Sequence, residues 1–171
     1  MVGEADMCAF TRGKNTHEIA FIICTNNKDY MEECKFYISQ LYVPQGMTVS
    51  LFSVEGAKSM TSGYNQAMHT SDARYKVYLH QDVFIVNRNF INDLLACFRK
   101  DDEIGMIGIA GAKRFRKSDG WMTLDTGGSY SIGVYWGSGY IAVKQTNNPP
   151  EQYEEVEFID GLLMATCYDL E

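Results

Sequence analysis

Apolar and polar residues follow one another along this chain in blocks, and the blocks read as strands and helices in turn. Six apolar residues in a row, Ile19 to Cys24, suit a central strand buried on both faces. The run ends in the polar cluster Thr25, Asn26 and Asn27. From Lys28 the period changes: Met31, Cys34, Ile38 and Leu41 recur at helical spacing, with Asn27 placed to cap the helix. Pro44 and Gly46 close that helix, and Met47 to Val54 supply a second strand. Strand, helix and strand in this order predict a βαβ unit with a right-handed crossover. Within Glu55 to Ser71, Met60, Tyr64, Ala67 and Met68 share one face of a further helix, which Gly63 weakens.

The third strand is expected within Tyr75 to Val86. Val77, Tyr78 and Leu79 lead into the polar trio His80, Gln81 and Asp82, after which the chain turns apolar again. An apolar run that ends in a carboxylate delivers an acid to the carboxyl edge of a parallel sheet, where open α/β sheets bind ligands. Asp82 is therefore the first candidate for chemistry, with a turn or helix cap as the plain alternative. Asn87 or Asn89 should cap the next helix, whose apolar stripe is Phe90, Ile91, Leu94, Leu95 and Phe98. Ile104 to Gly111 reads as a glycine-rich fourth strand that lets another backbone or a ligand come close.

The texture then changes. Lys113, Arg114, Arg116 and Lys117 form a basic cluster, and glycines mix with aromatics from Thr126 to Gly139. There Tyr130, Ile132, Val134 and Trp136 alternate, as in a hairpin or a long insertion. Near the end, EVEFID runs into GLLMATC, a strand pair or one bent strand broken at Asp160 and Gly161. Met1 to Thr16 has no sustained period. Residues 1–18 are thus expected as a loosely attached arm before a single domain, 19–171, divided into halves 19–112 and 113–171.

Composition narrows the classes. The chain is 46% hydrophobic and 22% charged, as ordinary globular proteins are, and its net charge of −7 argues against a nucleic-acid backbone as partner. Five scattered cysteines with no CxxC pair fit a reducing cytosol better than a disulfide scaffold. No apolar stretch nears the roughly 18 residues that span a bilayer, which leaves room only for peripheral membrane association. GxGxxG, GxxxxGK[ST] and a serine nucleophile elbow are missing, which lowers the case for dinucleotide enzymes, P-loop phosphotransferases and α/β hydrolases.

The ordered segments AFIICTNN, SVEGAKSMTSGYNQAM, YLHQDVFI, IGMIGIAGAK and VEFIDGLLMAT resemble the family-two type of glycosyltransferase, in its bacterial glycosyltransferase-like branch. The resemblance implies an α/β fold of the GT-A kind, three layers α/β/α around a mixed, mostly parallel sheet, with a Rossmann-like nucleotide-binding half. It implies transfer of a sugar from a nucleotide-diphosphate donor to a carbohydrate or other hydroxyl acceptor, with inversion. Thr25, Asn26 and Asn27 would sit against the base, Glu55 near base or ribose, and Asn65 at the sugar-nucleotide cleft. Gln81 and Asp82 would meet the donor, Asp82 as the last acid of a DxD motif holding Mg²⁺ or Mn²⁺. Asp160 would be the general base on the acceptor side.

The chain departs from the family pattern in two ways. His80 stands where the first DxD acid is common, so that the cation would rest on Asp82, His80 and substrate phosphates. Family catalytic domains also continue beyond the point corresponding to Glu171. A non-catalytic binding or assembly protein of the same fold is therefore carried as the rival reading, and an oligomer is compatible with both. His80 is equally read as a strand histidine, Asp160 as part of an Asp-Gly turn, and Glu154, Glu155 and Glu157 as a rival acidic cluster on a solvated face.

Overall fold

The computed structural model describes residues 10–109, 111–112, 130–136, 140–146 and 155–170. By its contacts the chain divides into two units, Met1–Met106 with Ala165–Glu171, and Ile107–Met164.

In the first unit β1 (Phe10–Thr11) precedes the long β2 (Asn15–Thr25), α1 (Lys28–Ser39), β3 (Thr48–Glu55), α2 (Met60–Thr70), β4 (Ala73–His80) and α3 (Phe90–Lys100). The strands β5 (Met106–Gly108), β6 (Gly111–Ala112), β7 (Tyr130–Trp136), β8 (Tyr140–Thr146), β9 (Phe158–Ile159), β10 (Leu163–Thr166) and β11 (Asp169–Leu170) complete the order. The main sheet runs β3-β2-β4-β10-β5. Its heart is parallel, with Ile22 opposite Phe52 on one side and Tyr78 on the other.

The unbroken apolar run makes β2 the central strand of this trio, and Ile19 through Ile23 are fully buried. Successive residues point to opposite faces. Cys24 lies against Gly63 of α2, and Tyr78, on the same face as Ile22, packs on Tyr64 at 5.1 Å between ring centroids. Phe21 and Tyr75 point the other way, to Phe90 and Phe98 of α3 at 6.4 and 5.9 Å. Helices thus cover both faces, which is why the strand carries no polar residue between Ile19 and Cys24.

Gly63, expected to weaken α2, is what lets it dock. A Cβ there would lie 2.5 Å from Cys24 Sγ and 3.0 Å from Ala57 Cβ, so the helix can approach the sheet only as glycine. The helix starts cleanly at Ser59, whose hydroxyl accepts from Ser62 N while the Ser62 hydroxyl accepts from Ser59 N.

Several boundaries differ from expectation. The central strand reaches back to Asn15, with an irregularity between Asn15 and Ile19, and Phe10–Thr11 pair antiparallel with Asp169–Leu170. Residues expected in the arm therefore carry strands from Phe10 onward. The third strand, expected within Tyr75 to Val86 with Asp82 at its end, spans Ala73–His80 and stops just before that acid. Val83 N donates to His80 O at 3.1 Å, closing a turn, and Val86 is 75% exposed. The apolar run after Asp82 is a covering segment, not a strand. Asn89 precedes α3 without capping it by its side chain; its backbone N–H instead donates to Asn87 Oδ1.

Ile104 to Gly111 resolves into two short strands rather than one, and in the second unit β6 pairs antiparallel with β9. Gly108 sits where a Cβ would collide with Ile159, the close approach that its glycine predicts. EVEFID and GLLMATC form two strands, β9 and β10, with a turn at Asp160–Leu162 between them. The alternating Tyr130 to Trp136 segment is one arm of a β7–β8 hairpin. Lys113, Arg114, Arg116, Lys117, Trp121 and Glu154 lie outside the described residues.

Candidate functional site

The carboxyl ends of three parallel strands come together through their register. Thr25 stands opposite Glu55, and Cys24 opposite His80. Each strand is followed by a loop, and the polar residues expected to bind a ligand fall on these three exits.

At the exit of β2 the backbone turns into α1. Asn27 caps the helix as its position predicts: its Oδ1 accepts from Asp29 N at 3.0 Å and Tyr30 N at 3.3 Å. Thr25 is buried, while Asn26 and Asn27 are exposed. At the exit of β4, Gln81 reaches across to this loop. Gln81 Oε1 accepts from the Thr25 hydroxyl at 2.9 Å, Asn26 N at 2.9 Å and Asn27 N at 3.1 Å, and Gln81 Nε2 donates to Asn26 Oδ1 at 2.8 Å.

One residue later, Asp82 Oδ1 meets His80 Nδ1, and both side chains are about half exposed. With the carboxylate accepting, Nδ1 carries the proton and Nε2 is left as the nitrogen available to a ligand. Beneath this turn Cys34 Sγ donates to Val83 O at 3.4 Å, and burial, with Asp82 adding to it, pushes the thiol up to about 11. Cys34 is thus a neutral packing group, not a nucleophile.

A cavity of about 470 Å³ opens between the exits of β2 and β3. Thr25, Asn26, Asn27 and Glu55 line it, together with Lys28, Met31, Glu32, Lys35, Ser53 and Gly56. Four expected residues therefore share one cavity of a size that accepts a small organic ligand. Lys28 and Lys35 were not anticipated from the sequence. Their spacing of two helical turns on α1, on the same stripe as Met31, is the signal that would have drawn attention to them. Lys35 is tied to Glu32 at 2.6 Å. At the mouth, Gly56 turns the chain after β3 with φ at 65°, a conformation suited to glycine.

His80, Gln81 and Asp82 do not line this cavity; they stand on the neighbouring strand exit. Asn65 lies exposed on α2, outside the cavity lining. Asp160 belongs to the second unit, where its Oδ1 accepts from Leu162 N at 2.9 Å within its own turn. Of the rival acids, Glu155 and Glu157 are exposed.

Among the described residues no cluster of three or more His, Cys, Asp or Glu side chains could hold a metal ion. His80 and Asp82 offer one nitrogen and one carboxylate, a set that suits a cation shared with a ligand's phosphates rather than one caged by protein. No helix among the described residues is long and apolar enough to cross a membrane.

A family model described as "Glycosyltransferase like family" matches residues 20–171. No curated protein matches the chain. The match takes in all three strand exits and the turn at Asp160, leaving out residues 1–19.

Proposed function

The chain belongs to the glycosyltransferase-like family, and from that premise we propose that it binds a nucleotide-diphosphate sugar at its three strand exits and transfers the sugar to an acceptor hydroxyl. The fold is the α/β arrangement of GT-A enzymes, whose ligands sit beyond the carboxyl ends of parallel strands. The observation that carries the reading is the cavity shared by Thr25, Asn26, Asn27 and Glu55 beside the turn that bears His80 and Asp82. The cavity takes the nucleoside; the neighbouring turn takes the diphosphate.

On this reading Glu55 accepts from the base or ribose, and the Lys28 ammonium donates to a carbonyl or phosphate oxygen. Asp82 would hold a divalent cation, with His80 joining it once its ring lets go of that carboxylate, and when bound the cation neutralises charge on the diphosphate leaving group. The acceptor hydroxyl attacks the anomeric carbon from the face opposite the diphosphate, so a new C–O bond forms as the old one breaks. The bonding pair leaves on the diphosphate oxygen, the hydroxyl proton passes to the Asp160 carboxylate, and the carbon inverts.

A donor-binding protein without turnover is the second reading. It is favoured by Asp160, whose carboxylate already serves its own turn, and by His80 in place of an acid. Titration calorimetry with UDP and GDP, with and without Mn²⁺, tests the binding step. Cation-dependent binding that Asp82→Ala weakens at least about 10-fold supports the site, and a folded wild type that binds neither nucleotide overturns it. Asp160→Asn separates the two readings. The enzyme should lose roughly 10²-fold or more in turnover while nucleotide affinity holds, whereas the second reading predicts no turnover to lose.

A further inference from the structure

Gln81 stands in the polar trio that the family reading assigns to the donor, yet its hydrogen bonds point elsewhere. Three donors from the β2 exit converge on one atom of its amide: the Thr25 hydroxyl, Asn26 N and Asn27 N. Because backbone N–H groups can only donate, that atom is the carbonyl oxygen, which fixes the orientation of the amide. Its nitrogen then faces Asn26 Oδ1. Both polar atoms of the side chain are engaged with the neighbouring loop, and so are the two backbone N–H groups that would otherwise face a ligand.

We propose that Gln81 is a positioning residue, a clamp that fixes the Thr25–Asn27 loop to the His80–Asp82 turn and so sets the spacing between the nucleoside cavity and the diphosphate turn. This deepens the donor-site reading and rests on it. The loop needs such a clamp because it leaves the sheet at Thr25 and must present Asn27 to cap α1 within two residues. The strand pairing between the exits stops at Thr25–Glu55 and Cys24–His80, and α1 meets the β4 exit further along, at Val83 and Phe84. Gln81 extends the connection past the last ladder residues. A consequence follows for recognition: with the Asn26 and Asn27 backbone N–H groups engaged, the groups left to meet a nucleoside in the cavity include the Lys28 ammonium, the Glu55 carboxylate and the Asn26 amide nitrogen.

The test combines a measurement that needs no ligand with one that does. Amide hydrogen exchange of Asn26 and Asn27 should be slow in the wild type and roughly 10-fold faster in Gln81→Ala, with the Ile19–Ile23 amides unchanged. UDP or GDP, whichever the wild type binds, should bind Gln81→Ala roughly 10-fold more weakly, as losing one to two modest hydrogen bonds' worth of organisation implies. Gln81→Glu keeps the acceptor for all three donors and should recover most of both effects, which a contact to the ligand's phosphates would not allow. Gln81→Asn, with the same chemistry but one methylene shorter, provides a milder break if Gln81→Ala folds poorly.

Unchanged exchange at Asn26 and Asn27 would overturn the clamp. Faster exchange with unchanged nucleotide affinity would overturn its positioning role. A wild type with slow Asn26 and Asn27 exchange that binds neither nucleotide would instead sink the donor-site reading, and the positioning role with it.

Discussion

The two ends of strand β4 handle polar groups in opposite ways. At the amino end Lys76 is fully buried: its Nζ donates to Ala73 O at 2.7 Å and lies 2.7 and 2.8 Å from the two oxygens of Asp169. Asp169 stands in β11, which pairs with β1, so the charge pair ties the late chain to the first strands. Its carboxylate also adds to the burial that pushes the Tyr78 phenol up. At the carboxyl end His80 and Asp82 are half exposed, and the polar groups face a cavity and solvent. The first end uses charge to fix one arrangement of the chain. The second keeps charge wet and free to change partners, as a ligand site must.

The difference implies a ranking of effects, and removing a partner at the buried end should do the most damage. Asp169→Ala leaves the Lys76 ammonium unpaired in the core and should cost about 3–5 kcal/mol, read as a shift of the urea midpoint. Lys76→Met strands the Asp169 carboxylate instead, but that group keeps 18% of its surface in water and the variant should cost less. Equal losses in the two variants would mean that the pair is valued for its attraction rather than for the cost of a stranded charge.

The carboxyl end has its own buried polar group, which is kept neutral instead of paired. Cys34 is held up to about 11 from an ordinary 9.0 by burial first and by Asp82 second. Between those values the unfolded thiol ionises while the folded one stays protonated, so its contribution is complete below pH 9 and drains as pH rises toward 11. The contribution falls by up to about 1.4 kcal/mol per pH unit. Cys34→Ser should flatten that part of the alkaline stability curve relative to wild type, by urea titration at stepped pH. Identical slopes would show that other buried groups, such as the tyrosines, account for the whole fall.

The same contrast explains what could be read from the residues alone. Continuous apolar runs and helical spacing sufficed for β2, α1, β3, α2 and α3, because burial on one or two faces leaves a periodic trace. The Asn27 cap was legible for the same local reason. What periodicity cannot carry is partnership between distant residues. Lys76 reads as a solvent-facing lysine in a strand, and only the arrival of Asp169 from 93 positions away makes it a core residue. The strand was expected within Tyr75 to Val86 with its acid at the carboxyl edge, and it stops two residues before Asp82; the turn at His80–Val83 depends on α1 accepting the following segment over Cys34. Of the candidate site, the three exits were visible as polar clusters ending apolar runs. Lys28 and Lys35 left a trace in their spacing with Met31 along α1, whereas the engagement of Gln81 with Thr25–Asn27 follows from which strands are neighbours and left no local signal.

At the exposed end, function and stability should come apart. Asp82→Ala touches a half-exposed side chain whose partner, His80, is equally exposed. Its unfolding free energy should stay within about 0.5 kcal/mol of wild type. Cation-supported nucleotide binding should nevertheless weaken roughly 10- to 100-fold, as loss of a ligand or of the carboxylate orienting a histidine ligand does. A large loss of stability in this variant would erase the contrast between the two ends.

Asn27 sharpens the comparison most finely, because it serves both purposes at one position: its Oδ1 caps α1 and the residue lines the cavity. Asn27→Ala removes the cap and should cost about 1 kcal/mol of stability. Asn27→Asp keeps an oxygen for the same backbone groups and adds a negative charge at a helix N-terminus, so stability should hold or rise by a few tenths of a kcal/mol. The same charge faces an anionic donor, and UDP or GDP affinity should fall even though the fold is no weaker. If Asn27→Asp binds nucleotide as well as wild type does, the phosphates do not pass near this helix start, and the cavity must take the nucleoside with its diphosphate directed away from α1.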